Sequence, residues 1–253
     1  MEKYTVRLDS SGIVWFTINR PDKRNAIDYD VMDGLEKTIE EVSFNNNAKA
    51  LVITGSGQQA FCAGGDLGVF HDLKTKPQAY GMLSRMGSIL YSLLCLPKPT
   101  VALINGTCIG GGAELATACD IRISSSTSKM GFVQGKLGIT TGWGGATMLL
   151  EKMKYDQAME MLMTATILTP ERAKKLGFIH KVVEPEELFE ACNSYLVPYL
   201  SLNTQVLSAY KMVAVRKWDK TFKERMFSEI ERCSSLWESD EHHHAVDAFL
   251  QGK

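Results

Sequence analysis

A chain of 253 residues, 45% of them hydrophobic and 23% charged, has the material for one large domain, or one domain plus an appendage, around a sizeable core. Its 28 Lys+Arg against 29 Asp+Glu leave a formal charge of -1, which excludes a general attraction for nucleic acid or an anionic membrane surface, so an anionic ligand has to be caught locally. Six scattered cysteines form no C-x-x-C pair, no signal-peptide pattern precedes them, and no apolar run nears the ~18 residues of a membrane span. The expected setting is cytoplasmic, with reduced thiols, neither exported nor membrane-spanning.

Tyr4 to Leu8 and Ile13 to Asn19 are β-type runs split by Asp9-Ser10-Ser11-Gly12, which predicts a hairpin. Arg20 to Ala26 breaks the strand. From Asp28, Val31, Leu35, Ile39 and Val42 recur at helical spacing until Asn45-Asn46-Asn47, and Lys49 to Thr54 predicts the next strand. Gly55-Ser56-Gly57-Gln58-Gln59-Ala60 then matches the dinucleotide fingerprint G-x-G-x-x-A. That fingerprint has to open a helix, whereas Ala60 to Asp66 reads as extended and then glycine-kinked, so a polar turn is the better reading. Val69 to Ala79, with His71, Lys74, Lys76 and Pro77, predicts a mobile loop, and Leu83 to Leu94 a helix.

Pro99 to Ile104 is an apolar run in β-favouring residues that stops at Asn105-Gly106. Gly110-Gly111-Gly112 follow, and a helical pattern begins with Glu114 in its first turn and runs to Cys119-Asp120. The order strand, glycine kink, helix thus occurs twice, since Leu51-Val52-Ile53 leads in the same way to Gly64-Gly65-Asp66. Helix starts aim unbonded N–H groups forward and glycines admit another backbone or a ligand, so this arrangement suits a site that binds or creates negative charge. A strand at Ile121 to Ile123, a polar tract to Ser128, Met130 to Val133 and a glycine-rich and threonine-rich stretch around Trp143 come next. From Tyr155 the pattern is mostly helical: Ala158 to Met163, Pro170 to Leu176, Pro185 to Leu200, Thr204 to Lys217 and Phe222 to about Leu250. The organisation expected is a compact core over 1–195 and a helical subdomain over 196–253.

Together these segments resemble the crotonase superfamily, also called the enoyl-CoA hydratase/isomerase family. The resemblance rests on Asn19-Arg20-Pro21 with Asn25-Ala26, Ala60 to Leu67, Asn105-Gly106, Gly110 to Leu115, Cys119-Asp120, and Leu137-Gly138 with Gly142 and Gly144-Gly145, and it spans about Ile18 to Phe249. It implies an α/β fold, the crotonase (ClpP-like) spiral of repeated ββα units with a C-terminal helical trimerisation subdomain, assembled as a homotrimer or homohexamer. It also implies an acyl-CoA thioester as substrate, with no metal and no cofactor beyond the CoA that the substrate carries. The thioester oxygen would lie between the backbone N–H groups of Gly65 and Gly111. An enolate gathers charge on that oxygen, and preset donors stabilise it by ~3 kcal/mol or more each.

Glu114 falls where the family has one of its two catalytic glutamates, although a carboxylate in a first turn also complements the helix dipole by ~0.3–1 kcal/mol. Burial beside an acyl chain would raise its pKa and suit it to proton exchange near neutrality. Registration on Leu137-Gly138 puts Gln134 where hydratases carry the second glutamate, and Val133 where they often carry proline. An amide neither gives nor takes a proton, which impairs two-acid hydration, and single-base isomerases of the family generally keep that second glutamate. Losing carbon dioxide from a malonyl-type thioester makes the enolate without removing a proton, and a neutral wall at Gln134 avoids repelling the substrate carboxylate. Phe132-Val133, Leu137-Gly138-Ile139 and Trp143-Gly144-Gly145 are similar to the ethylmalonyl-CoA and methylmalonyl-CoA decarboxylase branch. Decarboxylation of a substituted malonyl-CoA is therefore ranked first, ahead of a hydratase or isomerase variant using Glu114. A non-catalytic acyl-CoA-binding protein is the reading from another class.

For the rest of the ligand, the resemblance implies that the loop of Lys23, Arg24 and Ala26 wraps the CoA nucleotide, though both cations also fit an exposed, solvated loop. Ala63, Asp66 and Leu67 flank Gly65 as substrate contacts, and Asp66 can equally cap the helix that it begins. Trp143 either walls the acyl pocket or simply packs. Phe249 and Lys253 correspond to a C-terminal phenylalanine and a nearby lysine that reach CoA in relatives. His242-His243-His244 point apart by about 100° each on a helix, so a solvated face is preferred to a metal site. His71 reads as exposed.

Overall fold

The computed structural model describes residues 2–217 and 220–252. A six-stranded sheet in the order β1-β2-β3-β5-β7-β9 is built from β1 (Tyr4–Leu8), β2 (Ile13–Ile18), β3 (Ala50–Gly55), β5 (Thr100–Ile104), β7 (Ile121–Ser125) and β9 (Lys181–Val183). A three-stranded sheet holds β4 (Ala60–Cys62), β6 (Thr107–Ile109) and β8 (Met130–Gly131). Among the described strands only the β1–β2 pair is antiparallel, as the hairpin reading requires; Tyr4 lies opposite Ile18, and the turn ends at Gly12 with φ +91. Every other pairing between these strands is parallel, including Val14 with Leu51 and Leu51 with Thr100.

Each passage of the chain lays a long strand in the large sheet and a short one in the small sheet. The second passage then adds α4 (Gly111–Ala118), and the first adds α2 (Leu67–Phe70) and α3 (Lys76–Cys95). This is the ββα repeat that the sequence organisation pointed to. All six residues of β3 are buried, as a parallel strand covered on both faces must be. Alternation sends Val14, Phe16, Leu51 and Ile53 into the main core with α1 (Tyr29–Phe44), and Ile13, Trp15, Ala50 and Val52 to the opposite face. There α8 (Leu188–Leu200) covers them through Leu188, Cys192 and Leu196.

Two local expectations are corrected. The mobile loop read over Val69 to Ala79 shrinks to a few residues: α2 ends at Phe70 and α3 begins at Lys76. Pro77 sits in the first turn of α3, where a missing N–H costs nothing, and Thr75 with Gln78 forms a capping box. The long helix expected from Phe222 to Leu250 is two helices, α10 (Lys220–Trp237) and α11 (Asp240–Leu250), because Ser239 caps α11 by accepting the His242 N–H at 3.3 Å. The intervening α5 (Gly145–Lys152), α6 (Tyr155–Met163), α7 (Pro170–Lys175) and α9 (Thr204–Lys217) complete the chain. α10 packs along α3 and α5, and its Phe222, Met226, Ile230 and Cys233 belong to the main core. The polar turn between Gly55 and Ala60 joins β3 to β4 and opens no helix, which removes the dinucleotide reading.

Candidate active site

The glycine kinks that are separate in sequence meet in space because β4 pairs with β6, Cys62 beside Cys108. A Cβ on Gly112 would lie 2.0 Å from the Cys62 carbonyl oxygen, and one on Gly64 would lie 3.1 Å from the Gly111 nitrogen. Side chains there would push the two chain segments apart. Gly64 also takes φ +100 and Gly110 φ +55, backbone that suits glycine.

Both kinks present N–H groups to the same space. Gly65 bridges Ile27 in parallel fashion: Ile27 N–H donates to the Gly64 carbonyl at 2.8 Å and Asp66 N–H to the Ile27 carbonyl at 2.9 Å, so the Gly65 N–H faces away from Ile27. Gly111 is the first residue of α4, where a helical N–H has no partner within the helix. Both glycines line a cavity of about 290 Å³. Its walls are mostly apolar and come from distant elements: Phe70 of α2, Leu83 of α3, Ile109 of β6, Ile139, Trp143, Cys233 and Trp237 of α10, and Phe249 of α11.

Glu114, 2% exposed, is in that wall. Its Oε2 accepts the Trp143 and Gly145 N–H groups, both at 2.8 Å, and its Oε1 accepts Gln134 Nε2 at 2.8 Å and the Gly142 N–H at 3.3 Å. Burial, with the buried Glu229 carboxylate adding repulsion, pushes its carboxyl up to about 8, against the backbone N–H groups that pull it down. Gly145 is held small by this contact, since a Cβ there would lie 2.4 Å from Glu114 Cγ.

Sequence reasoning missed Glu229. From α10 it accepts the Ala146 N–H at 3.1 Å, the Thr147 N–H at 2.8 Å and the hydroxyls of Thr141 and Thr147 at 2.5 and 2.6 Å. It therefore fixes the start of α5 and the loop whose N–H groups hold Glu114. Nothing local marks it, whereas the glycines at 142, 144 and 145 did mark a loop under steric constraint.

Gly65, Gly111, Glu114, Gln134, Ala63, Leu67, Trp143 and Phe249, all singled out in the sequence, line this one cavity. Trp143 stands against the glycines; a Cβ on Gly111 would lie 2.2 Å from its ring and one on Gly65 3.5 Å. Asp66 is outside the lining. It caps α2 by accepting the Gly68 N–H at 3.0 Å and pairs with the partly buried Arg20 at 2.6 Å. Arg20 also donates to the Ala26 carbonyl at 2.6 Å, tying the loop after β2 to the kink. Lys23 and Arg24 are exposed; Arg24 borders a separate hollow with Asn25 and the turn from Ser56 to Ala60. Lys253 lies outside the described residues. His71 bonds locally, to the Leu67 carbonyl at 3.1 Å. The solvated face expected for the histidine run is corrected at His242, which is 1% exposed, packs on Trp237 and donates Nδ1–H to the Leu137 carbonyl at 2.7 Å.

Comparison with known proteins bears on this geometry. A short-chain-enoyl-CoA hydratase of Clostridium acetobutylicum is 29% identical over 99% of this chain and 96% of that protein. An ethylmalonyl-CoA decarboxylase of Xenopus tropicalis is 32% identical over 90% of this chain and 76% of its own length. A crotonyl-CoA hydratase of Syntrophomonas wolfei is 33% identical over 87% and 81%. The crystal structure of an enoyl-CoA hydratase from Bacillus halodurans superposes with a TM-score of 0.89 at 24% identity, covering 97% of this chain and 99% of that one, which establishes the shared fold. With the family model for enoyl-CoA hydratase/isomerase matching residues 9–253, the chain belongs to that family, the crotonase superfamily.

Proposed function

We propose that this protein decarboxylates a substituted malonyl-CoA thioester through an enolate. The observation that carries this reading is the pairing of Glu114 with Gln134. Among the described residues lining the cavity Glu114 is the one carboxylate, and the side chain facing it at 2.8 Å is an amide. Hydration by two acids lacks its second acid here, while decarboxylation asks only for a stabilised enolate oxygen and one proton donor.

In this reading the thioester carbonyl oxygen sits between the N–H groups of Gly65 and Gly111, with the start of α4 behind the latter adding its positive dipole end. Carbon dioxide leaves with its bonding pair left on the α-carbon as the enolate, and protonated Glu114 returns a proton to that carbon. The acyl substituent occupies the apolar end between Leu83, Ile139 and Trp237, and the loop of Lys23 and Arg24 meets the CoA nucleotide. No cofactor is required besides the CoA of the substrate. An ethylmalonyl-CoA decarboxylase at 32% identity is among the relatives, beside hydratases at 29% and 33%, so it is the Glu114–Gln134 pairing that favours this reading.

Incubation with methylmalonyl-CoA, ethylmalonyl-CoA and crotonyl-CoA, with products read by mass, tests it. Carbon dioxide release from the malonyl esters is expected. Turnover of crotonyl-CoA alone would establish the hydratase or isomerase reading instead, and binding of every ester without turnover would leave an acyl-CoA-binding protein.

We further propose assembly as a homotrimer or a hexamer of two trimers. The described α9 has no buried residue and exposes Val206, Tyr210 and Val213, an apolar surface that a second copy of the chain would cover. Six unpaired cysteines suit a reducing cytoplasm.

A further inference from the structure

The residues that line the cavity divide by exposure. Lys136, Ile167 and Phe249 reach solvent, whereas Phe70, Met82, Leu83, Ile139, Cys233 and Trp237 are each no more than 8% exposed. Two of these six buried side chains carry a donor, and both donors are used inside the protein. The Trp237 Nε1–H donates to the Leu73 carbonyl at 2.8 Å, and the Cys233 thiol to the Thr140 carbonyl at 3.2 Å. A ligand atom between these six therefore meets methyl groups, rings and sulfur. A hydroxyl or carboxylate placed there would give up its water with no replacement from these side chains. The wall is also held in place: a Cβ on Gly142 would lie 2.7 Å from Leu83 Cδ2 and 3.0 Å from Cys233 Sγ, and α10 packs along α3. Leu83 and Cys233 are thus wedged against the loop that holds Glu114 and cannot collapse onto a short ligand.

Size narrows the ligand further. The cavity of about 290 Å³ is nearly twice the about 150 Å³ of an apolar cavity that takes up one benzene ring, so it holds a six-carbon group besides the thioester and its α-carbon. A methyl or ethyl branch would leave Met82, Leu83 and Trp237 facing a void, and walls without a partner forfeit their dispersion energy. We infer that the substrate's acyl group carries an unfunctionalised hydrocarbon of about six carbons beyond the α-carbon, with Leu83, Cys233 and Trp237 setting that preference. The inference deepens the proposed function and rests on its placing the acyl substituent in this cavity. For a decarboxylase it means that a hexyl-substituted malonyl thioester, which yields octanoyl-CoA, is preferred to the methyl-substituted and ethyl-substituted ones.

The test is the dissociation constant, by calorimetry, of saturated thioesters that have no carboxylate to lose and no alkene to hydrate: acetyl-CoA, butyryl-CoA, hexanoyl-CoA, octanoyl-CoA and dodecanoyl-CoA. Tightening by about fourfold per methylene is expected up to octanoyl-CoA, about 10²-fold in all from butyryl-CoA, with no further gain at dodecanoyl-CoA. Suberyl-CoA, which has the length of octanoyl-CoA and a terminal carboxylate, is expected to bind at least about 10²-fold more weakly than octanoyl-CoA. Cys233→Leu, which adds carbons to the wall, is expected to move the best-bound ester to hexanoyl-CoA or shorter. Affinity that is level beyond butyryl-CoA, or suberyl-CoA bound as tightly as octanoyl-CoA, overturns the inference; the wild-type series decides this without any variant. A folded Cys233→Leu protein that keeps the wild-type order overturns the placement against α10. The decarboxylase reading fails separately, on carbon dioxide release from the malonyl esters, because no member of the saturated series undergoes that reaction.

Discussion

Glu114→Gln is expected to lower kcat by about 10²- to 10⁴-fold, the range for losing a positioned proton donor, while the protein remains folded. The fold tolerates it because the new amide oxygen can accept the Trp143 and Gly145 N–H groups that Oε2 accepts at 2.8 Å, and Gln134 can turn to accept from the new N–H2 group. Stability gives a second readout. The carboxyl of Glu114 lies at about 8 in the folded protein and at its ordinary 4.5 when exposed, so the folded state holds the extra proton between those values. Its contribution to stability is therefore fully present below pH 4.5 and lost as the pH rises through 8. Urea midpoints at pH 5 and pH 8 should fall further for the wild type than for Glu114→Gln. Equal falls, or undiminished turnover of the best substrate, would remove Glu114 from the mechanism.

Gly111→Ala is expected to lower kcat/KM by about 10²- to 10³-fold, as much as the loss of one oxyanion donor, although the N–H itself is retained. The added methyl group would lie 2.2 Å from the Trp143 ring, which stands in a packed wall and is 4% exposed. Either the ring shifts into the cavity or the start of α4 moves away from Gly65, and each misplaces a donor that has to stand about 3 Å from the substrate oxygen. Overpacking of this kind also costs about 1–3 kcal/mol of stability. Comparison with Gly81→Ala, where a Cβ meets nothing within 4 Å, separates the local clash from any general effect of replacing a helical glycine. Steady-state kinetics on the preferred ester together with melting temperatures make the check; unchanged kcat/KM would place the thioester oxygen elsewhere.

Both variants touch residues that were legible in the sequence, and each shows where that legibility stopped. Glu114 is visible as a carboxylate in the first turn of a helix that opens with glycines, and Gln134 as an amide where the family resemblance leads to the expectation of an acid. Four N–H donors on Glu114 are not visible, because three of them are backbone groups of a loop about thirty residues away and no side-chain type records where a peptide N–H points. Pro77 was misread for a related reason: the residue that interrupts a helix also starts one, and only the capping of Thr75 by Gln78 decides between them. His242 looked solvated beside Asp240 and Glu241, yet α11 lays it on Trp237 and Leu137.

The sequence alone determined the local chemistry: the hairpin, the strand of Thr100 to Ile104, the two glycine kinks and the acid set just after the second of them. Those features follow from backbone conformations and periodicities that each segment's own residues impose. Only the tertiary structure decided what meets what. Pairing of β4 with β6 brings Gly64 and Gly65 to Gly111, α10 delivers Glu229 to the loop beneath Glu114, and α3, α10 and α11 close the apolar end of the cavity. Such contacts depend on which faces are buried against one another. Burial in turn raises the Glu114 carboxyl to the range where it can carry a proton, a property of the assembled site that no single segment holds.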